Sequence, residues 1–152
     1  MTGTAERADA EAPEEAELTS GPPAAPPTAD RARVAHVSAR DGTSLLTRHW
    51  PVPTGEPWAS VLLVHGLAEH SGRYEHVGTQ LAAAGLDTHA FDLRGFGGSG
   101  GPRASVDRWS QLHDDVEERL VAVRSTAPAR PLVLLGHSLG GLIALGYVLD
   151  GR

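Results

Sequence analysis

The feature that most constrains this chain is an apolar run broken by one sharp turn. Leu132-Val133-Leu134-Leu135 leads into Gly136-His137-Ser138-Leu139-Gly140-Gly141, and an apolar run resumes as Leu142-Ile143-Ala144-Leu145-Gly146-Tyr147-Val148-Leu149. A Gly-x-Ser-x-Gly turn between two such runs is the sequence form of a strand, a tight turn and a buried helix. Gly136 and Gly140 have a steric task there, because so tight a turn brings strand and helix backbone too close for Cβ atoms. Ser138 is expected at the apex. The helix after it turns its N-terminal N–H groups and positive dipole end toward any oxyanion forming beside the hydroxyl.

A turn of this kind needs a sheet around it, and the upstream sequence supplies one. Arg33–Ala39 and Ser44–Trp50 alternate in polarity around Asp41-Gly42 and predict an antiparallel hairpin, closed by Pro51 and Pro53. Ala59–Val64 is a continuous apolar run, the pattern of a strand covered on both faces. Helical spacing follows over Arg73–Ala84, stopping at Gly85; then a strand, Leu86–Phe91; then a helix from about Val106 to Thr126, closed by Pro128 and Pro131. Alternating strands and helices of this type call for a parallel sheet with right-handed crossovers and helices on both faces, an α/β fold entered through an antiparallel hairpin. The 152 residues are enough for one domain with a real core, although fewer than a complete doubly wound enzyme of this kind usually has.

Charge separates the chain into two parts. Residues 1–30 carry seven acids against Arg7, with Pro22-Pro23 and Pro26-Pro27 near their end and few large apolar side chains, so they are expected to be a disordered acidic leader. Residues 31–152 are the folded part, with twelve acids and twelve arginines. A near-neutral domain without a basic face does not suggest a nucleic-acid partner. No secretory signal and no run of roughly 18 apolar residues is present, so a cytoplasmic location without a transmembrane segment is expected. There is no cysteine, hence no disulfide or thiolate site. All thirteen basic residues are arginine, which reads as codon bias.

Two cofactor-like patterns fail on spacing. The glycines after Asp92-Leu93-Arg94 contain no Gly-x-Gly-x-x-Gly opening a helix and no Gly-Lys-Ser/Thr, so a tight loop held by Asp92 or Arg94 is expected there. His65-Gly66-Leu67-Ala68-Glu69-His70 has one residue too many for an inverted zincin motif, and Gly66 ends a strand where a helix would be required. No metal site and no cofactor are expected. His36, His49, His76, His89 and His113 read as surface residues of strands and helices.

Taken in order, His65-Gly66-Leu67-Ala68-Glu69-His70-Ser71-Gly72-Arg73-Tyr74, Asp92-x-Arg94-Gly95, Ser99-Gly100-Gly101-Pro102-Arg103, Val106-Asp107-Arg108-Trp109 and Gly136-His137-Ser138-Leu139-Gly140-Gly141 resemble the monoacylglycerol lipase and lysophospholipase branch of the α/β-hydrolases, with its serine aminopeptidase S33-type relatives. The likeness covers about residues 33–151 and implies the N-terminal half of that fold. It implies Ser138 as nucleophile and the backbone N–H groups of Leu139 and Leu67 as the oxyanion hole, each donor worth about 3 kcal/mol of barrier. His65, Gly66, Gly136, His137 and Gly140 are expected to shape the elbow and its neighbouring loop, which Glu69, His70, Arg73 and Tyr74 lock by hydrogen bonds. The implied substrate is a monoacylglycerol or similar lipid ester.

In α/β-hydrolases the triad runs Ser, then Asp or Glu, then His. Fourteen residues follow Ser138, none of them histidine, and the one carboxylate, Asp150, lies about 18 Å further along a helix. The catalytic Asp and His are therefore not expected in this chain, which reads as the N-terminal part of a serine ester hydrolase, inactive alone. Its last strand is expected to leave an open apolar edge prone to association. Two other readings stand beside this one: a non-catalytic binding or assembly module, and a peptidase, thioesterase or acyltransferase on the same scaffold.

Overall fold

The computed structural model describes residues 32–151; the acidic stretch 1–30 lies outside them. Five strands, β1 (Arg33–Ser38), β2 (Ser44–Trp50), β3 (Ala59–Val64), β4 (Leu86–Phe91) and β5 (Leu132–Gly136), alternate from β3 onward with helices α1 (Glu75–Ala83), α2 (Ser110–Thr126) and α3 (Leu139–Leu149). They form one sheet in the order β1-β2-β4-β3-β5. β1 and β2 are the hairpin, turning at Gly42 with φ 85°, and β2 lies antiparallel on β4. β4, β3 and β5 are parallel, the α/β arrangement expected.

The order places the helices. β3 crosses to β4 in one direction, and β4 crosses back over β3 to β5 in the other. Right-handed connections run in opposite directions put their helices on opposite faces. α1 accordingly packs on one face, around Trp50, Leu63, Ala82 and Ala90. α2 and α3 cover the other, with Leu45, Leu62, Val64, Phe91, Leu93, Val116 and Ile143 between them and the sheet. β3, in the middle, is buried along its whole length, which is why its sequence is uniformly apolar. β5 alternates: Leu132 and Leu134 on its α2/α3 face are half-buried, while Val133 and Leu135 on its α1 face are exposed.

Two helix boundaries differ from expectation for local reasons. α2 begins at Ser110 and not near Val106, because the Gln111 side chain accepts from the Asp107 and Arg108 N–H groups and caps the entry turn. The stretch expected to begin a helix at Arg73 opens as a 3-10 turn, Ser71–Tyr74, with α1 proper only from Glu75. There the buried Asp92 carboxylate accepts from both the N–H and the hydroxyl of Ser71 and holds the entrance tight.

The glycine-rich loop is anchored by Asp92 as well. Its other oxygen accepts the Gly98 N–H at 2.8 Å, and Ser99 Oγ bridges the Asp92 carbonyl and the Leu46 N–H. Arg94 serves a different joint. It makes a two-pronged ion pair with the fully buried Asp115 of α2, both contacts 2.7 Å, and reaches Asp41 in the hairpin turn at 2.7 Å.

Candidate active site

In an open α/β sheet, ligands bind beyond the carboxyl ends of the strands where successive connections leave in opposite directions. Here that point lies between β3 and β5. The chain leaving β3 goes to α1 on one face, and the chain leaving β5 goes to α3 on the other. Topology alone therefore selects the place where Ser138 stands.

Ser138 has φ 52° and ψ −115°, a conformation strained for any residue with a Cβ. The turn is forced into it from both sides. His137 N–H donates to the Val64 carbonyl at 3.0 Å, carrying the β3–β5 ladder one residue past the strand end, and Gly140 N–H closes onto the His137 carbonyl at 2.8 Å. A Cβ on Gly140 would collide with the Val64 and His65 carbonyls, and one on Gly136 with the Gly140 carbonyl, so both positions require glycine as the sequence indicated.

Strand register brings the segments carrying Leu67 and Leu139 to the same end of the sheet. Val64 pairs with Gly136. Leu67 lies three residues past Val64, and Leu139 three residues past Gly136, so both follow the carboxyl ends of adjacent strands. Among the described residues nothing accepts the N–H of either. The Leu67 side chain is exposed.

The loop carrying Leu67 is tied to the elbow by a short relay. Gly66 N–H donates to Glu69 Oε2 at 3.0 Å, the Tyr74 hydroxyl donates to the same oxygen at 2.7 Å, and His137 Nδ1 lies 3.0 Å from the Tyr74 oxygen. With the phenol proton directed at Glu69, His137 supplies the proton of the last contact. The Tyr74 hydroxyl, followed by the Gly66 N–H, holds the Glu69 carboxyl down at about 2. Burial, then the bond to Glu69, pushes Tyr74 up to about 12. Glu69 and Tyr74 thus lock the loop; Arg73 adds a 4.0 Å ion contact to Glu69, and His70 gives its carbonyl to the Arg73 N–H.

His65 is fully buried, with both ring nitrogens engaged. Nδ1–H donates to the Gly66 carbonyl at 2.7 Å and Nε2 accepts the Leu93 N–H at 2.9 Å. Burial pushes its pKa down, so it is a neutral imidazole with no lone pair to offer a substrate. Among the described residues no side chain hydrogen-bonds to Ser138 Oγ. Asp150, distant from the elbow as its helical separation required, pairs instead with His113 Nδ1 at 2.7 Å.

Not every histidine sits as the sequence suggested. His113 is buried and not on the surface: its Nε2 accepts the Trp109 indole N–H at 3.0 Å, and the ring joins α2 to the end of α3. His49 and His89 are partly buried and meet at the Asp87 carboxylate, at 2.7 and 3.1 Å. Their only advance signal was an alternate-position placement on two predicted strands whose pairing the sequence does not specify. Zinc-like ligation at His65 and His70 has no support in the geometry, since both His65 nitrogens are occupied.

A mixed sheet with a parallel centre and a serine at a strained strand-to-helix turn, placed at its topological switch point, defines an α/β-hydrolase. The model of the family described as serine aminopeptidase, S33, matches residues 55–152, and the chain belongs to that family. It is 41% identical over 95 residues to a monoacylglycerol lipase of Mycolicibacterium smegmatis, covering 62% of this chain and 34% of that one. It is 39% identical over 110 residues to the human monoglyceride lipase, covering 72% and 36%. A soluble variant of the Saccharomyces cerevisiae monoglyceride lipase, solved with a substrate analogue, superposes with a TM-score of 0.70 at 27% identity, over 82% of this chain and 42% of that one. The chain thus spans about a third of the length of the curated relatives it matches, and this stretch corresponds to the N-terminal half of the fold. No helix among the described residues is long and apolar enough to cross a membrane.

Proposed function

We propose that this chain carries the nucleophile and oxyanion hole of a serine ester hydrolase acting on monoacylglycerols or similar lipid esters. The reading rests on the strained elbow at Ser138, clamped to the end of β3 by the His137–Val64 hydrogen bond. In the reaction, Ser138 Oγ attacks the ester carbonyl and its proton passes to a general base. The tetrahedral oxyanion accepts hydrogen bonds from the Leu67 and Leu139 N–H groups. The alcohol leaves with a proton, and water then hydrolyses the acyl-enzyme. Monoglyceride lipase relatives at about 40% identity support the ester and its lipid class.

Under this reading the acid and base of the triad are not among residues 32–151, since His65 is saturated, His113 is buried between α2 and α3, and no side chain among the described residues hydrogen-bonds to Ser138 Oγ. The exposed apolar faces of β5 and α3 are where the remainder of a complete hydrolase packs. Without a base Ser138 is a weak nucleophile, and the 152-residue chain alone is inactive. The family description favours a second reading, a peptidase on the same elbow.

Fluorophosphonate labelling tests the assignment. The 152-residue chain should react slowly if at all, with any label mapping to Ser138 and lost in Ser138→Ala. Fast labelling would overturn the absence of an activating base, and a label elsewhere would overturn Ser138 as nucleophile. For a whole enzyme carrying this stretch, turnover of monoacylglycerol over aminoacyl anilides separates lipase from peptidase.

A further inference from the structure

At the other end of the sheet, three potential ligands converge that the elbow chemistry does not use. His49 of β2 pairs directly with His89 of β4 in the antiparallel ladder, so both imidazoles rise from one face at neighbouring positions. Asp87, two residues before His89, shares that face. The rings stack with centroids 4.2 Å apart and planes 3° from parallel. Each Nε2 donates to a different oxygen of the Asp87 carboxylate, and the three ligating atoms lie within 4.8 Å of one another. Burial would raise the Asp87 pKa, but the two imidazole bonds outweigh it and hold the carboxyl below the usual carboxylate range.

We propose that His49, Asp87 and His89 bind a divalent transition-metal ion of the zinc class through two imidazole Nε2 atoms and one carboxylate oxygen, with water completing the coordination. The donor set favours such an ion over calcium or magnesium, which take oxygen ligands. The ion takes the place of the two Nε2 protons. Each ring keeps one proton, now on Nδ1, so a neutral imidazole becomes a ligand with no net proton lost.

Tetrahedral zinc with bonds of 2.0–2.1 Å holds its ligands about 3.4 Å apart and in the plane of each imidazole, so closure asks for movement on the order of 1 Å and for the His49 ring to tilt out of its stack on His89. The His49 side chain, 31% exposed, has room for it, while the directly paired backbones hold both imidazoles on one face. Arg130, in the connection from α2 to β5, touches Asp87 at 3.3 Å and Ser60 at 3.4 Å and must swing aside. That is its cost to affinity.

Position assigns the role. Asp87 is the second residue of β4 and pairs with the second residue of β3, so the cluster lies toward the amino ends of the parallel strands, whereas Ser138 lies past their carboxyl ends. An ion there fastens the β1–β2 hairpin to the parallel sheet. It is a structural clip, independent of the proposed hydrolase chemistry.

The test is titration of the metal-stripped full chain with Zn2+ by calorimetry, with thermal melts in parallel and Co2+ as a spectroscopic probe of coordination. One ion should bind per chain, Tm should rise with Zn2+, and Co2+ should give the spectrum of a low-coordinate nitrogen–oxygen site. His49→Gln and His89→Gln should each weaken Zn2+ at least about tenfold, and His76→Gln, on the exposed side of α1, should change nothing. Lack of stoichiometric binding, or binding indifferent to His49→Gln and His89→Gln, overturns the proposal. His49 is the more exposed ligand, so His49→Gln decides the matter alone if His89→Gln fails to fold.

Discussion

At the scale of the residue, Glu69 is the side chain on which the geometry of the site most depends. One of its oxygens receives both the loop, through Gly66, and the elbow, through Tyr74 and His137. Its carboxyl titrates at about 2 in the folded chain, below the roughly 4.3 of an unperturbed glutamate. A group depressed on folding contributes stability above its unfolded value and loses it as pH falls through the folded one. Tm should therefore fall between about pH 5 and 2 with a component that Glu69→Gln lacks, and the Gly66 amide should lose protection relative to its intrinsic exchange rate over the same range. Parallel Tm–pH curves for the two proteins would show that the relay stabilises nothing.

At the scale of the element, Arg94 joins α2, the loop after β4 and the hairpin turn, beside a more exposed tie from Arg40 of that turn to Glu118 of α2. Asp115 has no exposure and depends on Arg94 for both of its bonds. Arg94→Met strands a buried carboxylate and should cost about 3–5 kcal/mol, read as a lower urea midpoint. The double replacement Arg94→Met, Asp115→Leu should recover much of that loss, because two apolar groups leave no uncompensated charge. The elements themselves were legible where the cause is local. The hairpin followed from alternation around Asp41-Gly42, β3 from its unbroken apolar run, and the elbow from glycines at steric pinch points. The entry turns of α1 and α2 were misjudged, because Asp92 and Gln111 set them and periodicity does not register side-chain caps. The Asp87 cluster was invisible for a stronger reason: it needs the β2–β4 register, a long-range pairing that no local pattern encodes. His113 was placed on the surface because its role depends on where the end of α3 lands.

For the whole molecule, the decisive property is a covered face beside an uncovered one. Leu142, Leu145 and Val148 on α3 are each more than half exposed, and Val133 and Leu135 present the bare side of β5. Surfaces of this kind on a soluble chain draw it into association. Sedimentation of the 152-residue chain should show concentration-dependent oligomers, shifted toward monomer by Leu142→Glu with Leu145→Glu. A monodisperse monomer would mean that this face is stable in water as it stands.

The clamp on Ser138 also sets a timetable. Every contact described for the elbow comes from residues between Val64 and Gly140, so under the proposed function a growing chain can shape the turn at Ser138 before later segments have left the ribosome. In a hydrolase whose base is encoded last, the reactive serine is then assembled early and armed late. Under the proposed function, a nascent chain would hold the shape of its elbow through synthesis without the means to attack an ester.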